Sequence, residues 1–220
     1  MSKKKFNFDD FIKEHKSTTA KSQGKRPLRQ RILIVCEGEK TEPHYFESFK
    51  MRLPKGMIRN IVIEGQGMNT TSLVNAATRK VKDSNDRFDQ VWIVFDRDSF
   101  TANHVNTACS RCDQLGYKIA FSNEAFELWY ILHFEYLDAK ITRSDYIIKL
   151  NKIFKKLGIA SYKKNQKEIY TILQNHGDQS KAIANAKRLA TFHTNVSPSD
   201  SKPSTSVYLL VEELNQYIIV

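Results

Sequence analysis

The chain has 220 residues, of which 40% are hydrophobic, so it can bury the core of one domain with a modest extension. The sequence contains no run approaching the roughly 18 apolar residues of a membrane helix, and no apolar segment follows the N-terminal lysines, which argues against a membrane protein or a secretory signal. Three cysteines are too few for a disulfide framework, and together these features predict a cytoplasmic protein.

The positive charge is concentrated at the N-terminus. The formal net charge is +11, and residues 1–31 contain ten Lys or Arg and three Asp or Glu, a net of +7 that leaves +4 for the other 189 residues. We predict that residues 1–30 form a flexible basic arm, with a short helix near 9–16. Such an arm favours nucleic acid as a partner, because lysines and arginines contact phosphates; a solvated tail without a partner is the alternative.

From residue 31 onwards, apolar runs of strand length alternate with amphipathic stretches of helix length. Strands are predicted at 31–36, 58–64, 91–95 and 117–121, and helices at 43–53, 70–82 and 102–115. Gly116 suits the left-handed residue that ends a helix. This alternation predicts an α/β fold with a parallel sheet of about four strands flanked by helices and joined by right-handed crossovers.

The rest of the chain has helical periodicity. An apolar face predicts a helix over 126–137, and further helices fit 143–157, 166–175 and 178–193. A polar loop at 194–204 precedes a last helix from about residue 204. The predicted organisation is therefore a basic arm (1–30), an α/β core (31–138) and a helical C-terminal region packed on the core (139–220).

Acidic residues follow the predicted strands. Glu37 follows the first strand, Asp96 and Asp98 follow the third, and Glu127 lies shortly after the fourth. Parallel strands gather their carboxyl ends at one edge of the sheet, and Mg²⁺ removes the repulsion between crowded carboxylates. We predict that Glu37, Asp96 and Asp98 bind Mg²⁺ or Mn²⁺, with Glu127 as a further catalytic carboxylate. Helix capping, or complementing the helix dipole, is the alternative, and it suits Glu39 and Glu42 well.

Four motifs, in this order, resemble those of the RloB family: IVCEGEKTEPHYF at 34–46, VFDRD at 94–98, SNEAFELWYILHF at 122–134 and PSTSVYLLV at 203–211. The resemblance implies a Toprim fold, with Glu37 as a general acid/base or metal ligand and with Asp96 and Asp98 as Mg²⁺ ligands. It also implies a bacterial protein of phage defence or abortive infection, often encoded beside an ATPase partner. Glu124 stands where the family motif has Pro. The conformation of the local turn therefore does not follow from the motif, and one more carboxylate is placed near the site.

The function predicted from the motifs is metal-dependent hydrolysis of phosphodiester bonds in DNA or RNA. One alternative is a non-catalytic nucleic-acid-binding or sensor subunit that acts with a partner ATPase. Another is a haloacid-dehalogenase-type phosphatase, because Asp96 and Asp98 resemble its nucleophile motif; in that class, however, the motif follows the first strand of the sheet.

Several other residues have both a functional and a purely structural interpretation. The candidate phosphate contacts are Lys40, Arg97, Lys163 and Lys164, each of which also suits a solvated surface. His133 lies on an apolar helix face, which favours a core histidine. Ser122 and Asn123 are interpreted as helix caps, and Cys109 and Cys112 as buried helix residues.

Overall fold

The structure is a computed structural model that describes residue 12 and residues 30–67, 70–97 and 100–218, apart from the side chains of residues 70 and 71. The predicted basic arm and its short helix lie outside these ranges, except for Ile12 and Gln30. Ile12 is helical and buried, and it belongs to the hydrophobic core.

The described part of the chain forms a five-stranded sheet with the order β2-β1-β3-β4-β5. Its strands are β1 (Ile32–Cys36), β2 (Ile61–Gly65), β3 (Gln90–Asp96), β4 (Lys118–Asn123) and β5 (Ser204–Thr205). The first four pair in parallel and β5 is antiparallel to β4, so the predicted parallel sheet is confirmed. The fifth strand was not predicted, because two polar residues carry no recognisable periodicity.

Helices connect the parallel strands: α1 (Thr41–Lys50), α2 (Lys55–Ile58), α3 (Thr70–Asp83) and α4 (Ala102–Leu115). Thr101 caps α4 by accepting from the His104 amide, and Gly116 ends that helix at φ 68°, as predicted. β1 is buried along its whole length, which explains its continuous apolar run. The α/β alternation read from the sequence is therefore present.

Five helices follow β4: α5 (Glu127–Leu132), α6 (Arg143–Lys156), α7 (Ile169–His176), α8 (Gln179–Ala190) and α9 (Val207–Asn215). The prediction that α5 continues to residue 137 was wrong. The carbonyl of His133 accepts from the Asp178 amide, and that of Leu132 accepts from the Asn185 side chain. The carbonyls of His133 and Leu132, which would accept the next hydrogen bonds of α5, are thus bound by Asp178 and Asn185, at the start of α8 and within it. None of the described helices is long and apolar enough to cross a membrane.

The C-terminal segment closes the edge of the sheet beside β4. The Asn123 amide donates to the carbonyls of Pro198 (3.3 Å) and Ser199 (3.0 Å), and the hydroxyls of Ser122 and Thr205 lie 3.0 Å apart. The N-terminus of α5 has no side-chain cap. The interpretation of Ser122 and Asn123 as helix caps was therefore wrong, because both side chains bind a distant part of the chain.

Candidate functional site

The carboxyl ends of β1 and β3 lie side by side in the sheet. Cys36 pairs with Val94, and the Glu37 amide donates to the Val94 carbonyl at 2.9 Å. The side chain of Glu37 accepts from the Asp96 amide at 3.2 Å. The predicted convergence of Glu37 and Asp96 is thus present at the point where the strand order changes direction, a usual ligand site in such sheets. Asp98 lies outside the described residues.

The turn after β1 is held against the end of β2. The Gly67 amide donates to the Glu37 carbonyl at 2.8 Å. A Cβ atom on Gly65 would lie 2.7 Å from the Gly38 carbonyl oxygen and 2.8 Å from Glu39 Cα, and one on Gly38 would overlap the Glu42 carboxylate. Both glycines therefore allow backbone and carboxylate to approach closely where Glu37 leaves the strand.

Asp96 is buried, with 4% of its surface exposed. Its Oδ2 accepts from the Phe126 amide at 3.0 Å, just before α5 begins. Its Oδ1 is buried and has no hydrogen-bond partner among the residues that the structure describes. A carboxylate oxygen left in this way is costly, so the site favours either protonation or a cation.

Two further carboxylates lie near Asp96. Glu127 is fully buried in the first turn of α5 and accepts from the Tyr162 hydroxyl at 3.1 Å. Glu42, in the first turn of α1, is 5% exposed. From the sequence, Glu42 was interpreted as a helix-terminal charge. Its burial was missed, although the first turn of a helix that directly follows a strand lies beside the strand's carboxyl end.

Arg143 is the main counter-charge of this acidic cluster, which we define as Glu37, Glu42, Asp96 and Glu127. One of its terminal nitrogens lies 3.5 Å from Glu127 and 3.9 Å from Asp96. Arg143 is the first residue of α6, whose start is fixed by a capping box between Thr142 and Asp145. Arg143 was missed in the sequence analysis, because its partners are distant in the chain.

The electrostatics show that one arginine does not compensate the cluster. Burial, followed by the charges of Glu42 and Glu127, raises the pKa of Asp96, and Arg143 opposes the shift. Burial also raises the pKa of Glu42, with a further contribution from Glu127. Burial and mutual repulsion therefore disfavour the ionised carboxylates where β1, β3, α1 and α5 meet, and a bound cation would favour them.

The donor chemistry of the acidic cluster fits a hard divalent cation. All candidate ligands are carboxylate oxygens, which Mg²⁺ and Mn²⁺ prefer, and Asp96 Oδ1 has no partner among the residues described. Within the described ranges, no three His, Cys, Asp or Glu side chains already stand in the arrangement of a metal centre. Glu37 and Asp96 are the described residues best placed to hold such an ion, and Asp98 follows Asp96 in the chain.

The candidate phosphate contacts lie around this edge of the sheet. Lys40 is exposed immediately before α1, and Lys163 and Lys164 are exposed in the loop after α6. The Thr41 hydroxyl donates to the Lys164 carbonyl at 2.9 Å, which holds that loop over the start of α1. Arg97 is partly buried; its amide donates to the Ser122 carbonyl at 2.9 Å. The contacts to phosphate themselves stay a prediction.

The remaining candidates have structural surroundings. His133 is buried beside Trp129 and its Nδ1 lies 2.9 Å from the Trp129 carbonyl, which confirms a core histidine. Cys109 and Cys112 are buried on α4, as predicted. Glu124 follows a cis peptide bond, pairs with Lys202 and accepts from the Arg143 amide at 3.4 Å.

One family model matches the chain. It is described as RloB-like protein and matches residues 32–214, from the first residue of β1 into α9. This range contains every residue of the acidic cluster. Comparison with curated proteins and with solved structures gave no match.

Proposed function

Since the chain belongs to the RloB-like protein family, we propose that it is a metal-dependent nuclease that hydrolyses phosphodiester bonds of nucleic acid in bacterial anti-phage defence. One observation gives this proposal its main support. Asp96 is buried beside Glu37 at the carboxyl ends of two neighbouring parallel strands, and one of its oxygens has no hydrogen-bond partner in the described part of the chain. The family resemblance implies a Toprim fold, and the four parallel strands are compatible with it.

The chain's own residues have distinct roles in this proposal. Glu37, Asp96 and Asp98 would hold Mg²⁺ or Mn²⁺. Such an ion, when bound, would supply an activated water and offset charge on the leaving oxygen. Tyr162 fixes Glu127 through its hydroxyl, and Glu127 in turn holds Arg143 beside Asp96. The buried rings of Tyr45, Phe126 and Tyr130 pack together, and the Phe126 amide also donates to Asp96.

A second function is favoured by Arg143. Because its guanidinium already lies 3.5 Å from Glu127 and 3.9 Å from Asp96, it partly compensates the buried carboxylates from within the chain. A cluster with an internal counter-ion is compatible with a non-catalytic nucleic-acid-binding or sensor subunit that acts with a partner ATPase.

The deciding experiment compares the wild-type chain with Asp96→Ala and Glu37→Ala. Plasmid, single-stranded DNA and RNA are incubated with each protein in Mg²⁺, Mn²⁺ or EDTA. We expect cleavage only with metal, and a loss of about 100-fold or more in both variants. Glu39→Ala is the matched control, because Glu39 is an exposed carboxylate in the same turn.

Each outcome separates the two functions. Cleavage that survives in Asp96→Ala would exclude this site as the active centre. Nucleic-acid binding without cleavage in any metal would support the non-catalytic subunit. Thermal unfolding of each variant shows whether a loss of cleavage follows from a loss of fold.

A further inference from the structure

Residues 143–168 form a strongly basic part of the folded body, which we call the basic segment. It contains eight Lys or Arg and two Asp or Glu, a net charge of +6. Since residues 32–220 carry +4 in total, the rest of the body carries −2. After residue 31, the net positive charge of the chain therefore comes from this one continuous stretch, because the Lys and Arg elsewhere are outnumbered by Asp and Glu.

Both ends of the basic segment touch the acidic cluster. At its beginning, Arg143 contacts Asp96 and Glu127. Near its end, the Tyr162 hydroxyl binds Glu127 and the Lys164 carbonyl binds Thr41. Between these contacts α6 runs for 14 residues, or about 21 Å at 1.5 Å per residue, and the chain then returns.

The lysines of the basic segment are on its outer side. Helix α6 buries Tyr146, Leu150 and Phe154 at intervals of four residues, so one face packs on the core. The exposed lysines of the segment are Lys152, Lys155, Lys156, Lys163, Lys164 and Lys167. None of these six forms an ion pair with another described residue, whereas Lys149 pairs with Glu135 at 2.5 Å.

Stabilisation of α6 explains only some of these exposed lysines. Lys155 and Lys156 lie in the last turn of α6, where positive charge complements the helix dipole. Lys152 lies a full turn earlier, and Lys163 and Lys167 lie beyond the helix. Two exposed apolar side chains, Ile148 and Leu157, stand on the same segment and suit contact with sugars or bases.

We infer that the basic segment is the surface that binds the phosphodiester backbone of a nucleic-acid strand and leads it to the acidic cluster. Unpaired lysines bind phosphates by releasing counterions, so the interaction is independent of sequence and sensitive to salt. This inference rests on the proposed function for the choice of partner. The surface itself is defined by charge, exposure and its two contacts with the cluster.

The test is binding of a fluorescent 30-nucleotide DNA or RNA strand by the full chain in EDTA, from about 50 to 200 mM salt. The variant carries Lys152→Gln, Lys163→Gln and Lys167→Gln, which avoids both the helix terminus and the residue bonded to Thr41. Its matched control carries Lys55→Gln, Arg79→Gln and Arg111→Gln, three exposed positions on α2, α3 and α4 with the same loss of charge.

We expect the variant in the basic segment to lose about tenfold or more in affinity and to reduce the slope of log K against log salt by about 2–3. The control should stay within about twofold of wild type, and the corresponding Lys→Arg triple should retain binding. Equal losses in both triples, or none, would overturn the inference. Binding of phosphatidylserine vesicles or polyglutamate, with no binding of the nucleic-acid strand, would also overturn the inference.

Because EDTA removes divalent metal, binding is measured without cleavage. Loss of binding in the basic segment together with absent cleavage in Mg²⁺ would support the surface and contradict the nuclease. Normal binding in the triple variant together with metal-dependent cleavage would support the nuclease and contradict the proposed binding surface.

Discussion

A single guanidinium stands between two buried carboxylates at the centre of the site. Arg143 is about four-fifths buried and contacts Glu127 and Asp96 at 3.5 and 3.9 Å. Removing one partner of a buried ion pair leaves the other charge uncompensated, which costs more than the pair itself contributes. The stability of the metal-free fold should therefore depend on this residue.

We predict that Arg143→Gln lowers the free energy of unfolding by about 2 kcal/mol in EDTA, less than for a fully buried pair because the arginine is partly exposed. Mg²⁺ should restore part of the loss, since it supplies the missing positive charge. Chemical denaturation with and without Mg²⁺ measures both effects. Arg87→Gln, at an exposed loop position, serves as control. An equal loss in the presence and absence of Mg²⁺ would contradict a shared binding region.

His133 gives the fold a pH dependence that is separate from the acidic cluster. Burial lowers the pKa of its imidazole from 6.5 to about 4. The folded chain thus favours the neutral ring, and this contribution is complete above pH 6.5 and lost as pH falls towards 4.

We predict that the wild-type chain loses about 3 kcal/mol through His133 between pH 6.5 and 4, and that His133→Gln lacks this part of the loss. Denaturation midpoints at several pH values measure the difference between the two proteins. The two proteins must be compared with each other, because Asp96 and Glu42 have raised pKa values and stabilise the folded state of both proteins as pH falls. Parallel pH curves for the two proteins would refute the role of His133.

At the scale of elements, the turn between β1 and α1 determines how Glu37 meets Asp96. It is fixed by contact with the end of β2, where Gly65 leaves room for the backbone at Gly38 and Glu39. The clash of a side chain here would be with backbone atoms, which cannot rotate away.

We predict that Gly65→Ala lowers the free energy of unfolding by about 2 kcal/mol and reduces metal-dependent cleavage beyond the effect on folding. Gly116→Ala is the control: its φ of +68° makes a side chain unfavourable by about 1–2 kcal/mol, but a Cβ there meets no atom within 4 Å in the described structure. Cleavage should be normal in the control. Unimpaired cleavage in folded Gly65→Ala would show that the turn does not position Glu37.

At the scale of the molecule, net positive charge is concentrated in residues 1–31, which include the N-terminal arm, and in the basic segment, with net charges of +7 and +6. Deleting the whole arm would be a poor test, because Ile12 is buried in the core. Neutralising the lysines at its beginning leaves that contact in place.

We predict that Lys3→Gln, Lys4→Gln and Lys5→Gln together reduce the salt slope of nucleic-acid binding by about 2–3 and leave the cleavage rate at saturating substrate unchanged. The control is again the triple variant at Lys55, Arg79 and Arg111. Binding titrations and single-turnover cleavage measure the two effects. Unchanged affinity would discard a role for the arm in binding.

The sequence by itself determined the alternation of strands and helices and the placement of Glu37 and Asp96 at the carboxyl ends of parallel strands; the structure showed that these two strands are neighbours. Apolar runs and helical periodicity are local properties, and parallel pairing then brings those strand ends to one edge of the sheet. The bend that ends α5 at Leu132 was not visible in this way, because its hydrogen-bond partners lie about fifty residues further on.

Only the tertiary structure decided which charges share the site. Glu42 is buried in the first turn of α1, Arg143 lies beside Asp96 although 47 positions separate them, and Tyr162 reaches Glu127 from 35 positions away. These contacts depend on how the C-terminal helices pack on the core. Periodicity and spacing describe neighbours along the chain, whereas the electrostatics of a buried site depend on neighbours in space.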